Sequence, residues 1–377
     1  MEKGLCEKFG KEIVAMNLKS NILDRYIIKK FISTYIFALL IFIVIVIIFD
    51  VSEKIDNFVE KGATFKAIVV DYYGNFIPYF MNMFNPLFVF IAVIFFTSKM
   101  AHHGEITAIL AGGTSFKRLL LPYFKVATFI ALFSLILNLF IIPPANKKRL
   151  EFAEKYIKDK YINRDRDIHL QLSPGTYLYM ESFNSWSNTA NRFTLESIEG
   201  HSLVSKLSAD MARWDSLKQG WRLHNYVHRV QGEKGIVTTY GKSLDTVINL
   251  TVNDLNKRDN IVESYNHTEL NKLIGTLKMR GDKKVIFAQI EKQNRFTLPF
   301  SAFVLTIMGV ALSAKKKKGG IGINVGIGLM LSFTYILSLR FSQMFVHAGT
   351  LPVWIALWLP NLIFSIVAYF LYRIAPK

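Results

Sequence analysis

The chain predicts a six-span α-helical membrane protein with an inserted all-β domain. Of its 377 residues, 51% are hydrophobic and 14% aromatic, more than a water-soluble chain of this length needs. The apolar residues gather into uncharged runs long enough to cross a hydrocarbon core of about 30 Å, which takes about 20 residues of helix. Between residues 145 and 282 that texture gives way to stretches alternating with period two.

Residues 1–20 read as a polar leader and not as a cleavable signal peptide, because the first apolar run after them is long enough to stay in the membrane. Cys6 is the single cysteine, which excludes an intramolecular disulfide and a thiolate metal cluster. The first span is expected at Phe31 to Phe49, preceded by Arg25, Lys29 and Lys30, with a mixed-charge loop from Val51 to Lys66 after it. A second span follows from about Tyr72 to Ser98, bent by Pro78 and Pro86. Lys99 to Pro122 is short, polar and helical in pattern. Ile106, Ile109, Leu110, Gly113 and Phe116 recur at intervals of three and four, giving a helix over 99–116 with one apolar face. Glu105 suits the positive end of that helix, Gly112-Gly113 can stop it, and Thr114 or Ser115 can cap the next. The third span, Val126 to Ile142, closes on Pro143-Pro144, where a helix is expected to end or change direction.

Beyond a charged helical stretch at Lys147 to Lys160, the segments HLQLSPGTYLYMESF, RFTLESIEGHSLVSKLSADM, GWRLHNYVHRVQG and IVTTYGKSLDTVINLTV alternate and are separated by turn residues. They predict a β-sandwich or open barrel. An amphipathic helix near Glu269 to Met279 leads back to the membrane. Residues 283–377 then supply three more spans: Phe296 to Ala314, a glycine-containing run from Gly319 to about Arg340, and Val353 to about Tyr372.

The net charge of +18 does not indicate nucleic acid, since its Lys and Arg are scattered over loops instead of forming one basic stripe. Topology accounts for them better. Seven lie in the leader and the approach to the first span, three in the 99–122 segment, four in Lys315 to Lys318 and two in the tail, against Lys54, Lys61 and Lys66 in the opposite short loops. By the positive-inside rule both termini and the Glu105 helix are cytoplasmic and the β domain is on the far side.

No catalytic constellation appears: the sequence contains no GxSxG, HExxH or GxxxxGK[ST] motif. His102 and His103 are neighbours that point in different directions on a helix, so a metal site there is not expected, and none is assigned elsewhere. Gly322 and Gly326 have the GxxxG spacing that lets helices approach closely in lipid, either within this chain or against a partner. Arg340 near a span end either snorkels or meets a lipid phosphate, as Lys54 and Lys61 could. Tyr177 and Tyr179 lie in a strand with apolar residues on both faces, one face of which must be core. The four lysines 315–318 serve topology, anionic headgroups or a partner contact.

The order of three spans, a β domain and three spans resembles the lipopolysaccharide-export permeases LptF and LptG. SKMAHHGEITAILAGGTSFKRLLLP is similar to that family's coupling segment, NLFIIPPANKKR to its exit from the third span, and ADMARWDSLKQGWRL to a pattern matched at Ala209, Trp214, Gly220 and Trp221. Arg295, Pro299, Gly309 and the final LPVWIALWLPNLIF also match. FDVSEKIDNFVEKGATF and the ending look closer to LptG than to LptF. Asp50 and Glu53 beside Lys54 depart from a basic collar, and His102 and His103 stand where the family often has Arg.

The resemblance implies a non-enzymatic permease subunit in the inner membrane of a Gram-negative bacterium, working in an ABC transporter with a cytoplasmic ATPase dimer that holds ATP-Mg. This chain would bind no cofactor itself. It also implies a paralogous LptF/LptG subunit, a periplasmic jellyroll domain over 145–282, LptC/LptA-type jellyroll partners and lipopolysaccharide as cargo. In that reading Glu105, Ile106, Ile109, Leu110 and Gly113 couple to the ATPase. Lys54, Lys61 and Arg340 contact lipid phosphates, the first and fifth spans line lateral gates against the partner subunit with Gly322 and Gly326 packing there, and Tyr177 and Tyr179 line an acyl-chain path. A membrane-anchored scaffold or sensor is the alternative; an ion-coupled transporter fits less well, because the span middles are uncharged.

Overall fold

A computed structural model describes residues 22–157, 166–232, 235–255, 259–315 and 320–375. The polar leader with Cys6, residues 158–160 of the charged helical stretch, and Lys316 to Lys318 of the lysine run lie outside the described residues. The chain divides into two compact units, one of Met1–Ile55, Phe76–Ile142 and Gln293–Lys377, the other of Asp56–Asn75 and Pro143–Lys292.

Among the described residues six helical stretches are long and apolar enough to cross a membrane. The first, α1 (Ile22–Glu60), runs well past the expected end at Phe49. Nothing in 50–60 is a helix breaker, and Lys54 pairs with Asp50 one turn back, so the mixed-charge stretch continues the helix. Gly62, at φ +65°, ends it, with the Ala63 N–H donating to the Phe58 carbonyl at 2.8 Å.

The second stretch is segmented. A π-helical piece at Ala67–Tyr73 leads into α2 (Gly74–Met83), which contains Pro78, and then α3 (Asn85–His102), where Pro86 takes the first turn. Proline is tolerated there because the first N–H groups of a helix have no internal acceptor. The third stretch comprises α5 (Phe116–Ile136), a π-helical piece at Leu137–Ile141 and α6 (Ile142–Tyr156). Pro143-Pro144 therefore does not end the helix: the prolines occupy the first turn of α6, where the preceding π segment has already loosened the hydrogen-bond ladder. The remaining spans are α9 (Val285–Ser313), α10 (Gly320–His347) and α11 (Val353–Ile374).

In the membrane unit α3 is the central element: 78% of its apolar window is buried, against 11% for α1 and 22% for α10. Val89, Val93 and Phe96 pack with Tyr123, Ile130 and Val310. Close approach to α3 is made possible by glycine: a Cβ on Gly309 would sit 2.8 Å from Val93 Cγ1, and one on Gly328 would collide with Ile94 Cδ1. Polar side chains bind the spans together where no water competes. Asn82 donates to Asn138 at 2.8 Å and accepts from Ser134, and Tyr35 on α1 donates to Asn85 at 2.8 Å. Asn361 on α11 accepts from Tyr335 at 2.9 Å and donates to the Thr297 carbonyl at 3.0 Å, linking three spans.

The β unit is a six-stranded antiparallel sheet with its strands in sequence order: β1 (Arg166–Ser173), β2 (Thr176–Asn184), β3 (Thr189–Glu199), β4 (Ser202–Asp215), β5 (Gly220–Gly232) and β6 (Gly235–Thr246). Alternation sets which residues meet. Leu170, Leu178, Met180, Phe193, Leu207 and Leu223 share the buried face with Trp221, and Leu250 and Leu255 pack against it. The Trp221 Nε1–H donates to the Leu250 carbonyl at 2.9 Å, which closes the core from the segment after β6. At the Pro174-Gly175 turn Gly175 has φ +79°, and a Cβ there would meet the Ile198 carbonyl oxygen at 2.5 Å. Helix α7 (Val252–Leu255) and a 3₁₀ turn at Asp259–Ser264 precede α8 (His267–Arg280). A capping box between Asn266 and Glu269 starts α8 and left-handed Gly281 ends it.

Candidate functional site

The helix expected over 99–116 is shorter than its pattern. Lys99 to His102 complete α3, Gly104 adopts φ +76° and breaks the chain, and α4 spans Glu105–Ala111. Gly113, at φ +85°, makes the turn after it, and Ser115 caps α5 by accepting the Arg118 N–H at 3.3 Å. The apolar face of α4 is turned inward. Ile106 is 1% exposed in the core with Ile27, Phe116 and Tyr123, and Ile109 and Leu110 are half-buried against it. Ile106 therefore anchors α4 and cannot itself touch another subunit.

Glu105 is half-buried and held at its edge. Tyr26 on α1 donates to Oε2 at 2.9 Å, and His103 Nδ1 lies 3.9 Å from Oε1. The rings of His102 and His103 are 5.9 Å apart, and no group of three metal-ligating side chains occurs among the described residues.

A second contact beside it escaped the sequence reading. Asp24, 1% exposed, accepts from Arg118 Nη1 at 2.7 Å and from Lys125 Nζ at 3.2 Å, joining the start of α1 to α5. Its signal was faint, because Asp24 precedes the uncharged run and its partners are about a hundred residues away. The start of α1 is thus attached by side chains both to α4 and to the helix that follows it.

The other expected residues are placed as follows. Lys54 is bonded to Asp50, so its charge is met within α1. Lys61 is half-buried just beyond that helix. Arg340 is well inside α10, which continues to His347 because nothing before Gly349 breaks it; its guanidinium lies 3.4 Å from Gln343 Oε1 and 3.9 Å from Met83 Sδ. A Cβ on Gly322 or Gly326 would meet nothing within 4 Å, whereas Gly328 packs against Ile94. On α10 the close approach inside this chain is therefore made by Gly328 and not by the GxxxG pair.

Tyr177 and Tyr179 are on the face of β2 opposite Leu178 and Met180. Tyr179 donates to Asp167 at 3.0 Å and packs on His169 at 4.7 Å; the hydrogen bond to the carboxylate raises its phenol pKa.

At the sheet's other end β6 pairs, among the described residues, only with β5, while α8 packs against β1. Ile236, Val237 and Tyr240 on β6 are all more than 60% exposed, so this edge is apolar as well as open. Asp245 fixes β6 to β5 by accepting from Arg222 Nε at 2.9 Å and Lys218 Nζ at 2.6 Å, and these hydrogen bonds hold its carboxyl down at about 2. A depressed carboxylate contributes to stability above its ordinary pKa and loses that contribution as pH falls through about 2. Amide exchange at Leu244 to Thr246, corrected for intrinsic rate, is expected to speed up as pH falls from 4 towards 2. Asp245→Asn should remove that dependence; an unchanged pH profile in the variant would show that the pair does not fasten the strand.

These features define a multi-pass helical membrane protein with an antiparallel β domain inserted between its third and fourth spans. The model of the family described as lipopolysaccharide export system permease LptF/LptG matches residues 25–374. The chain belongs to this family. The match does not separate LptF from LptG. A search of the curated proteins gave no match.

Proposed function

We propose that the chain is one permease subunit of an ATP-driven lipopolysaccharide exporter, with α4 coupling to a cytoplasmic ATPase dimer and α1 and α10 lining gates against a paralogous subunit. The observation that carries this reading is the uneven burial of the spans. Ile36, Phe37, Leu40, Ile41, Val44 and Ile48 on α1 are all exposed, as are Ile323, Met330, Phe333 and Phe341 on α10, while α3 is enclosed. Any membrane protein shows apolar residues to lipid, but here the two least buried spans are the two that the family resemblance assigns to the gates. Open space beside Gly322 and Gly326 on α10 suits packing against a partner's first span.

In this mechanism Glu105 meets a basic residue of the ATPase, and movement of α4 passes to the start of α1 through Tyr26 and the Asp24 cluster. Lipid held between the gates is displaced outwards when α1 closes. The periplasmic sheet, the counterpart of a jellyroll, passes the lipid on, and the open β6 edge extends by strand addition into an LptC/LptA-type β protein. Lys54, Lys61 and Arg340 are the phosphate contacts in this reading, Lys54 through a charge already shared with Asp50. Both termini are cytoplasmic in this arrangement, this chain binds no cofactor, and hydrolysis of ATP-Mg belongs to the partner.

Photocrosslinking from Val44 and Phe341 to lipopolysaccharide, in the assembled complex with ATP withheld or added, tests the proposal. Adducts at both positions that fall when ATP is added are expected. Absence of lipid adducts in a verified complex would instead favour a membrane-anchored scaffold.

A further inference from the structure

Three spans enclose an apolar cleft that the coupling mechanism does not use. It has a volume of about 790 Å³ and lies among α5, α9 and α11, with no residue of α1 or α10 in its lining. That volume is within the range of about 300–1,000 Å³ that small-molecule sites occupy. Phe124, Phe300 and Phe303 form its walls; Phe124 stacks on Phe303 at 6.3 Å and Phe300 meets Trp358 edge-on at 5.2 Å.

The polar groups are concentrated at one end. Lys117 is in the first turn of α5, and Tyr369 and Tyr372 are in the last turns of α11, next to Arg373, which lies 5.7 Å from the Tyr369 ring. Arg118 and Lys125 on the same side of α5 are occupied by Asp24, whereas neither Lys117 nor Arg373 pairs with a carboxylate among the described residues. The depth also has a direct meaning. From the end of α9 at Ser313 back to Phe300 is about 20 Å of helix, and from the end of α11 back to Ser365 about 14 Å. The cleft thus opens at the membrane edge and reaches roughly to the middle of a core of about 30 Å.

We propose that this cleft binds an anionic glycerophospholipid from the leaflet on the α4 side of the membrane. Its acyl chain lies between Phe124, Phe300 and Phe303, and its phosphate meets Lys117 and Arg373. The tyrosine hydroxyls are at the depth where amphipathic rings contact headgroups. A one-leaflet depth, a positive mouth and apolar walls suit this occupant, and an extended peptide segment would leave its backbone polar groups unmatched against such walls.

The test uses the full chain in nanodiscs of phosphatidylcholine with a minor fraction of phosphatidylglycerol, with a benzophenone amino acid replacing Leu121. Phosphatidylglycerol adducts are expected to exceed their mole fraction by up to about 25-fold, since each of the two basic residues near anionic lipid gives about a fivefold preference. Lys117→Gln should lower that ratio to about fivefold, and Lys117→Gln combined with Arg373→Gln should bring it towards one. Ser365→Phe, which fills the apolar end, should lower the yield with both lipids, with an unchanged melting temperature as the folding control. Adducts in proportion to mole fraction, enrichment that survives the double substitution, or adducts to a second copy of the chain would overturn the proposal. So would displacement of phosphatidylglycerol by added lipopolysaccharide, which would make the cleft part of the export path.

Discussion

Glu105→Ala is expected to lower ATP-driven lipopolysaccharide transfer by about tenfold or more, with the chain still folded and inserted. A hydrogen bond to a charged partner contributes about 1.5–3 kcal/mol, and each 1.4 kcal/mol is about a factor of ten. Within this chain Glu105 has two other uses, as an acid in the first turn of α4 and as acceptor for Tyr26 at 2.9 Å. Two further variants separate these from the interface. Tyr26→Phe removes the internal hydrogen bond and leaves the charge, so transfer should stay near wild type. Glu105→Gln keeps an acceptor for Tyr26 and loses the charge, so it should resemble Glu105→Ala. The opposite ranking, a normal Gln variant and a failed Phe variant, would confine Glu105 to holding α4 against α1. Because Ile106 already anchors α4 in the core, loss of Glu105 is not expected to release the helix.

Trp221→Ala is expected to unfold or loosen the β unit while the spans persist. Trp221 is 1% exposed, meets Phe183 at 6.3 Å and Trp214 at 5.4 Å edge-on, and bonds to Leu250. Truncating a buried aromatic of this size costs about 3–5 kcal/mol, and the Leu250 carbonyl would lose its partner as well. A domain's whole stability is about 5–15 kcal/mol, so the loss is a large share of it. Hydrogen exchange over residues 166–246 in the intact protein should rise across all six strands, while Trp221→Phe, which keeps most of the apolar volume, should show a smaller rise. Unchanged protection in the Ala variant would mean that the core does not depend on this ring.

The β domain was legible because period-two alternation marks one face of a sheet directly; the break at Pro174-Gly175 is a turn of the structure, while the break expected over 184–191 is a shorter turn at 185–188, since β3 already starts at Thr189. The spans were legible as apolar runs, but their ends were not. Hydropathy falls at Asp50, yet a charged stretch with an i,i+4 pair and no glycine stays helical to Glu60. The π segments at Ala67–Tyr73 and Leu137–Ile141 leave no mark in apolar sequence. In the 99–116 segment the periodicity gave the apolar face of α4 but not its direction, and only packing shows that Ile106 turns inward. Asp24 and Tyr26 were hidden for a different reason: their partners are remote in sequence, and no local pattern reports a long-range ion pair. Likewise GxxxG singled out Gly322 and Gly326, while the glycines in close contact are Gly309 and Gly328, whose neighbours are on α3.

The central claim is transport, and reconstitution tests it most directly. Proteoliposomes containing this chain, the paralogous permease subunit and the ATPase dimer, loaded with lipopolysaccharide, would be mixed with a soluble periplasmic β protein, and lipid reaching that protein would be followed with and without ATP. ATP-dependent transfer that disappears when this chain is omitted and collapses with Glu105→Ala is the predicted result. ATP hydrolysis by the verified complex with no lipid delivered, or transfer equal with and without this chain, would contradict the account.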